Sequence, residues 1–339
     1  MLWVALTLLA AALQATRNAL SRQLVGQVSP ALTAWSRFAF NLPFSAALAL
    51  GLALVHGAPQ LSAAFFAWAA VGALTQLLAN VALVAAFQVS SFSQSVALHK
   101  LETVFGAAVG LALFGEVPTA LGWAGILLST FGVLLMNLAR PDADGIGWRR
   151  MFVLDRGSIY ALSCAALFAF TSFFFKQAIE HLVAVNPGLA GGRFQPAAHT
   201  VFHVAWMQVA LATPAVAWMR PGELRRTASL WRTMLGIGVT GFLGSLCWFW
   251  AFGLTLVAYV RAVGQLEAPI SIAISALWFR ERGLTRQLPA ILAIVVGVVV
   301  LACAGGAYAY THFIELAKVK ELRSVREEEV KAKEIQRDR

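Results

Sequence analysis

Apolar runs long enough to cross a bilayer fill almost the whole of this 339-residue chain. They cover residues 2–25, 30–55, 64–88, 91–114, 119–139, 157–180, 199–219, 232–255, 257–279 and 287–310. A helix needs roughly 20 apolar residues to span a hydrocarbon core of ~30 Å. No water is present at that depth, so each backbone N–H and C=O must be paired inside its own segment or inside a closed barrel. Runs of this length meet that demand as helices. The sequence therefore predicts an all-α membrane protein of ten transmembrane helices. The breaks fall on turn chemistry, at Ser29-Pro30, His56-Gly57-Ala58-Pro59, Val117-Pro118 and Arg140-Pro141.

Composition narrows the function classes. Hydrophobic residues make up 59% of the chain and charged residues 12%, with a mean hydropathy of +0.73, well outside the soluble globular range. The formal charge of +10 belongs to loops and to the tail, so no nucleic-acid partner is expected. Cys164, Cys247 and Cys303 all lie within apolar runs, forming neither a disulfide framework nor a metal cluster. Residues 186–199 are glycine-bearing but lack the lysine and hydroxyl of a phosphate loop. No nucleophile elbow, zinc spacing or dinucleotide fingerprint occurs in a fitting context. The expectation is neither an enzyme nor a cofactor protein. Leu2–Val25 lacks a basic leader and a small-residue cleavage site, and reads as a span.

An internal repeat organises the spans. Leu101-Glu102 through Phe114-Gly115-Glu116 recurs as Leu266-Glu267 through Phe279-Arg280-Glu281, and at this offset Ala86–Leu135 aligns with Ala251–Val300 without a gap. Phe87/Phe252, Ala97/Ala262, Ile126/Ile291, Leu127/Leu292 and Gly132/Gly297 are identical. Five spans per copy is an odd number, so the second copy must enter the membrane in the opposite sense. The expected architecture is two inverted five-helix repeats, residues 1–139 and 157–310, joined by a linker at 140–156 and followed by a charged tail at 311–339. Such folds place substrate sites near the midplane, between the repeats. Trp35 and Pro43 share their interval with Trp206 and Pro214, which predicts matched kinks in the second and seventh spans.

The leucine-glutamate that opens an aliphatic helix ending in glycine-glutamate resembles the EamA domain of the drug/metabolite transporter superfamily. Leu101-Glu102 through Gly115-Glu116 carries the likeness in the first half, and Leu266-Glu267-Ala268-Pro269 through Arg280-Glu281 in the second. Thr103 stands where the family has proline, Pro269 is displaced by one position, and Arg280 replaces glycine. The resemblance implies a secondary transporter in a bacterial inner membrane with both termini cytoplasmic. Its partners would be a small-molecule substrate, membrane lipid and protons as coupling ion.

Polar residues inside spans name the candidate site. An intramembrane carboxylate costs roughly 2.5–3.5 kcal/mol to insert, so Glu102 and Glu267 are expected to face the protein interior, either as proton or substrate-amine sites or as structural members of ion pairs. His99 shares a face with Glu102, while Lys100 points to another helix. Arg37 is expected to face the cavity with Asn41, and Arg17, Arg261 and Gln265 join the pathway. Gln76, Asn80 and Gln88 form a polar stripe, read as cavity lining or interhelical glue. Trp248, Trp250 and Tyr259 serve either to stack a flat substrate or to anchor at the interface. Lys176 reads as snorkelling, and Glu116 and Glu281 as interfacial or capping charges. Gly106/Gly110 and Ser271/Ser275 are small-residue pairs for close helix packing.

These residues point to alternating-access export of small polar or amphipathic metabolites such as amino acids. A nucleotide-sugar or lipid-linked sugar carrier is the alternative within the superfamily. A membrane enzyme or assembly scaffold is the alternative of another class. Orientation is in conflict: Arg140, Arg149, Arg150, Arg156, Arg220, Arg225, Arg226, Arg232, Arg280, Arg282 and Arg286 all fall on the side opposite the termini, against the family orientation.

Overall fold

A computed structural model describes residues 2–24, 27–89, 98–138, 155–189, 192–270, 273 and 288–306. The Gln88 side chain, Ser271, Ser275, Arg280, Glu281, most of the 140–156 linker and the tail lie outside the described residues. The described elements are helical. They run α1 Leu2–Gln23, α2 Pro30–Ala39, α3 Leu42–His56, α4 Ala63–Val89, α5 Glu102–Leu113, α6 Ala120–Leu138, α7 Arg156–Val185, α8 Phe194–Met219, α9 Thr227–Leu254, α10 Val257–Val263 and α11 Leu288–Gly306. Helix occurs in each of the ten segments read from the sequence. Among the described residues, six stretches are long and apolar enough to cross a membrane: Ala31–His56, Ala63–Leu83, Arg156–Val185, Phe194–Met219, Glu223–Leu254 and Leu288–Gly306. Large apolar side chains such as Leu54, Val55, Val81, Leu113 and Trp218 are exposed on the outside of the bundle, as a lipid-facing surface requires.

Local chemistry sets the helix ends. Ser29 precedes Pro30 at the start of α2, and its side chain accepts from the Leu32 N–H, satisfying one orphan donor while proline fills a position needing no N–H. Asp155 does the same for α7, where the Ser158 N–H donates to its carboxyl at 2.7 Å and holds it below the usual carboxylate range. Pro43 separates α2 from α3, with the break at Phe40 and Asn41. Pro214, by contrast, sits inside an unbroken α8. The matched kinks expected from the two prolines are therefore not both helix breaks.

Two helix pairs dominate the packing, α1 on α9 and α4 on α7. The core between them holds Phe65, Phe173, Phe175, Ile179, Leu182, Phe252 and Tyr259, all buried. On one side α6 and α11 approach backbone to backbone. A Cβ on Gly132 would stand 2.7 Å from the Ile294 nitrogen, and one on Gly297 would stand 2.6 Å from the Ser129 nitrogen. Only glycine permits that approach in either helix. Of the small-residue pair on α5, Gly110 is the close contact, where an added Cβ would meet the Phe173 ring at 2.8 Å. Gly106 has open space.

Candidate functional site

Glu102 opens α5, twelve residues before Phe114 at its far end, and Glu267 follows α10, ten residues after Val257. At 1.5 Å per residue the two carboxylates stand roughly 15–18 Å in from the loops at Phe114 and Val257. Both are buried, as are Lys100 and Gln265. They line one narrow crevice with essentially no free volume, together with Gln14, Trp248, Arg261 and Gly264. The sequence therefore converges Lys100, Glu102, Trp248, Arg261, Gln265 and Glu267 on a single place.

Glu267 is firmly held. Gln14 Nε2 donates to one carboxylate oxygen at 2.6 Å, and Lys100 Nζ reaches the same oxygen at 3.2 Å. Asn18 Nδ2 donates to the other oxygen at 2.8 Å. Gln14 and Asn18 lie four apart and so share a face of α1. Neither was singled out from the sequence, although the spacing that marks Gln76 and Asn80 also marks them. Arg17 joins this set indirectly, donating to Asn18 Oδ1 at 3.3 Å.

Glu102 is held at longer range. Arg261 Nη1 stands 3.5 Å from one oxygen and His99 Nε2 stands 3.9 Å from the other. Arg261 itself is fixed by other means. Its Nε and Nη2 donate to Ser172 Oγ at 2.8 and 2.5 Å, and its guanidinium lies 5.5 Å from the Trp248 ring centre and 5.6 Å from that of Phe252. Aromatic faces stabilise a cation in such positions, so Arg261 keeps its place without Glu102. His99 Nδ1 lies 3.4 Å from Cys164 Sγ. Gln265 Nε2 donates to Thr103 and Thr130 at 2.8 and 3.0 Å, closing the cavity wall against α5 and α6.

The remaining sequence candidates lie elsewhere. Gln76 accepts from Gln208 Nε2, and Asn80 Nδ2 donates to the Gln76 carbonyl at 2.7 Å, so this stripe ties α4 to α8. Tyr259 is fully buried, and its hydroxyl oxygen accepts from the Thr119 N–H at 3.0 Å, tying α10 to the loop before α6. Trp250 Nε1 donates to the Gly192 carbonyl at 2.8 Å at the loop end. Arg37 is half-buried against α9, and Asn41 is buried with its Oδ1 unpaired. Neither lines the cavity.

A third carboxylate pairs nearer the loops. Lys176 Nζ donates to Glu116 Oε1 at 2.5 Å and to the Thr255 carbonyl at 2.9 Å, and the Val257 N–H donates to Glu116 Oε2 at 2.8 Å. Lys176 therefore does not snorkel. Its ammonium turns inward to a buried partner. Glu116 does cap a helix, but the helix is α10, not its own.

The comparisons with known proteins add the family and the fold. No curated protein matches the chain. A solved crystal structure, described only as that of a protein, matches with a TM-score of 0.66 at 16% identity, covering 90% of this chain and 98% of its own, and this likeness shows the fold alone. The apolar helices and the family match together mark an integral membrane protein. Residues 1–138 match the model of the EamA-like transporter family.

Proposed function

We propose that the chain is a secondary transporter that exports small polar or amphipathic metabolites, amino acids among them, by alternating access between two inverted five-helix halves. The observation that carries this reading is the cross-pairing of the cavity. Lys100 meets Glu267 and Arg261 meets Glu102, so each ion pair joins a residue of 1–139 to one of 157–310. Contacts of that kind lie where two halves must slide or rock against each other.

Further features support an internal twofold. At the offset relating Glu102 to Glu267, α4 falls on α9 and the α2–α3 segment falls on α8. The same offset exchanges the two dominant pairs, α1 with α9 and α4 with α7. It also makes the glycine contact reciprocal, because Gly132 meets Ile294 while Gly297 meets Ser129.

The crevice between these side chains has essentially no free volume for a solute. This state therefore reads as closed, and substrate entry requires the halves to separate. A polar solute bearing an amine would compete for Glu102, and one bearing an acid would compete for Arg261. Coupling falls on Glu102 in this reading, since its contacts are longer than those of Glu267 and since Ser172 and the rings keep Arg261 in place when Glu102 changes partners.

Counterflow of labelled amino acids in proteoliposomes tests transport against a scaffold role: exchange above that of empty liposomes is expected, and its absence with every solute tried contradicts the proposal. The family implies cytoplasmic termini. Labelling a cysteine placed at Ser324 against one at Thr227 in intact cells tests that side assignment.

A further inference from the structure

Among the described residues, cations inside the bundle come in two kinds. Lys100, Lys176, Arg193 and Arg261 each lie within 3.5 Å of a carboxylate. Arg17 and Arg37 meet none. Arg17 donates only to Asn18 Oδ1, at 3.3 Å, and Arg37 lies over the ring of its own neighbour Phe38 at 5.3 Å.

The two arginines are also neighbours. Arg17 stands six residues before the end of α1 and Arg37 seven residues after the start of α2, and both ends lead into the same turn at 24–29. At 1.5 Å per residue they share a depth of about 10 Å from that turn. Both pack on Gly241 of α9: a Cβ there would stand 3.4 Å from Arg37 Cγ and 4.0 Å from Arg17 Cδ. Arg37 feels the like charges of Arg17 and Arg261 as well as the opposite charge of Glu267, and like charges away from bulk water repel unless they are fully neutralised. A guanidinium fork matches an oxyanion in shape and charge.

We propose that Arg17 and Arg37 form a second binding site, an oxyanion subsite between the cavity and the 24–29 turn, which takes the carboxylate or phosphate group of the solute on its way through. This rests on the transport reading above. An arriving oxyanion replaces the long Arg17–Asn18 contact with a charged one. Asn18 also donates to Glu267 at 2.8 Å, so the subsite adjoins the firmly held side of the cavity.

The test uses delipidated full-length protein in neutral detergent, with acetate and inorganic phosphate as probes at constant ionic strength against chloride. Saturating probe is expected to raise the unfolding midpoint by about 2–4 °C. Arg37→Gln and Arg17→Gln should each abolish that rise. Without probe, Arg37→Gln should shift the midpoint little, because relief of the Arg17 repulsion offsets loss of the Phe38 contact. Should Arg37→Gln fail to fold, Arg37→Lys keeps the charge without the fork and should weaken the rise.

No rise with either probe overturns the proposal, as does a rise that survives in both arginine variants. Protection by phosphatidylglycerol alone also overturns it and makes the arginines lipid anchors. Glu102→Gln separates the two readings: it should keep the probe-dependent rise while losing coupled flux. Unchanged flux in that variant counts against the coupling role and leaves the subsite standing.

Discussion

Glu267 receives hydrogen bonds from Gln14 and Asn18 and an ion pair from Lys100, whereas Glu102, its counterpart in the repeat, faces Arg261 at 3.5 Å and His99 at 3.9 Å. The difference traces to single residues. At the repeat offset, Gln14 and Asn18 of α1 correspond to Ile179 and Val183 of α7, which offer no donors, and Lys100 corresponds to Gln265. On the proposed duplication the two carboxylates start equivalent and the surrounding helices give them different contacts, which is why we assign Glu267 to tying the halves together and Glu102 to exchange.

The strongest challenge to that contrast is Glu267→Gln. It leaves Lys100 charged and buried without its partner, and the loss of stability should be about 3–5 kcal/mol, read from thermal unfolding in detergent. Replacing both partners, Lys100→Met with Glu267→Met, should recover most of it, since a buried pair exchanged for apolar side chains is often neutral. A small effect of the single variant would break the comparison.

Lys176→Met sharpens the contrast by loosening a tied carboxylate outside the cavity. Glu116 then loses its cation but keeps the Val257 N–H, so a loss of about 2–3 kcal/mol is expected. Folded protein should still show substrate counterflow. Loss of counterflow with stability intact would place Glu116 in the transport cycle.

Where the halves are equivalent, matched changes should match. Gly132→Ala and Gly297→Ala each push a Cβ into the facing backbone, and each should cost about 1–3 kcal/mol, the two agreeing within roughly 0.5 kcal/mol. Unequal costs would contradict a reciprocal α6–α11 contact. The smallest expected effect is that of Tyr259→Phe, which removes the hydroxyl bonded to Thr119 and should cost about 1 kcal/mol in the same measurement.

Much of the site was legible before any coordinates, for a physical reason. Charges are rare in apolar runs, so the few present stand out, and the register of Lys100 against Glu102 already directs Lys100 to another helix. Helix periodicity gives a residue's depth and face but not which neighbour lies there. That is why Lys176 reads as snorkelling although Glu116 takes it inward, and why Tyr259 reads as a stacking or interfacial residue although Thr119 holds it. Gln14 and Asn18 passed unnoticed because neutral amides carry little insertion penalty and look like ordinary helix polarity. Pro214 shows the converse limit, since surrounding helices can keep a proline-bearing span unbroken.

The central claim is that Glu102 is the exchangeable carboxylate and Glu267 the structural one. It is tested most directly by measuring thermal stability and pH-gradient-driven flux on the same purified Glu102→Gln sample. The change keeps size and hydrogen-bonding capacity while removing titration. Because Arg261 remains held by Ser172 and the aromatic rings, stability should fall by less than about 1 kcal/mol. Coupled flux should drop by about tenfold or more, with substrate exchange retained. Normal flux, or a flux defect that merely follows a loss of folded protein, would contradict the account.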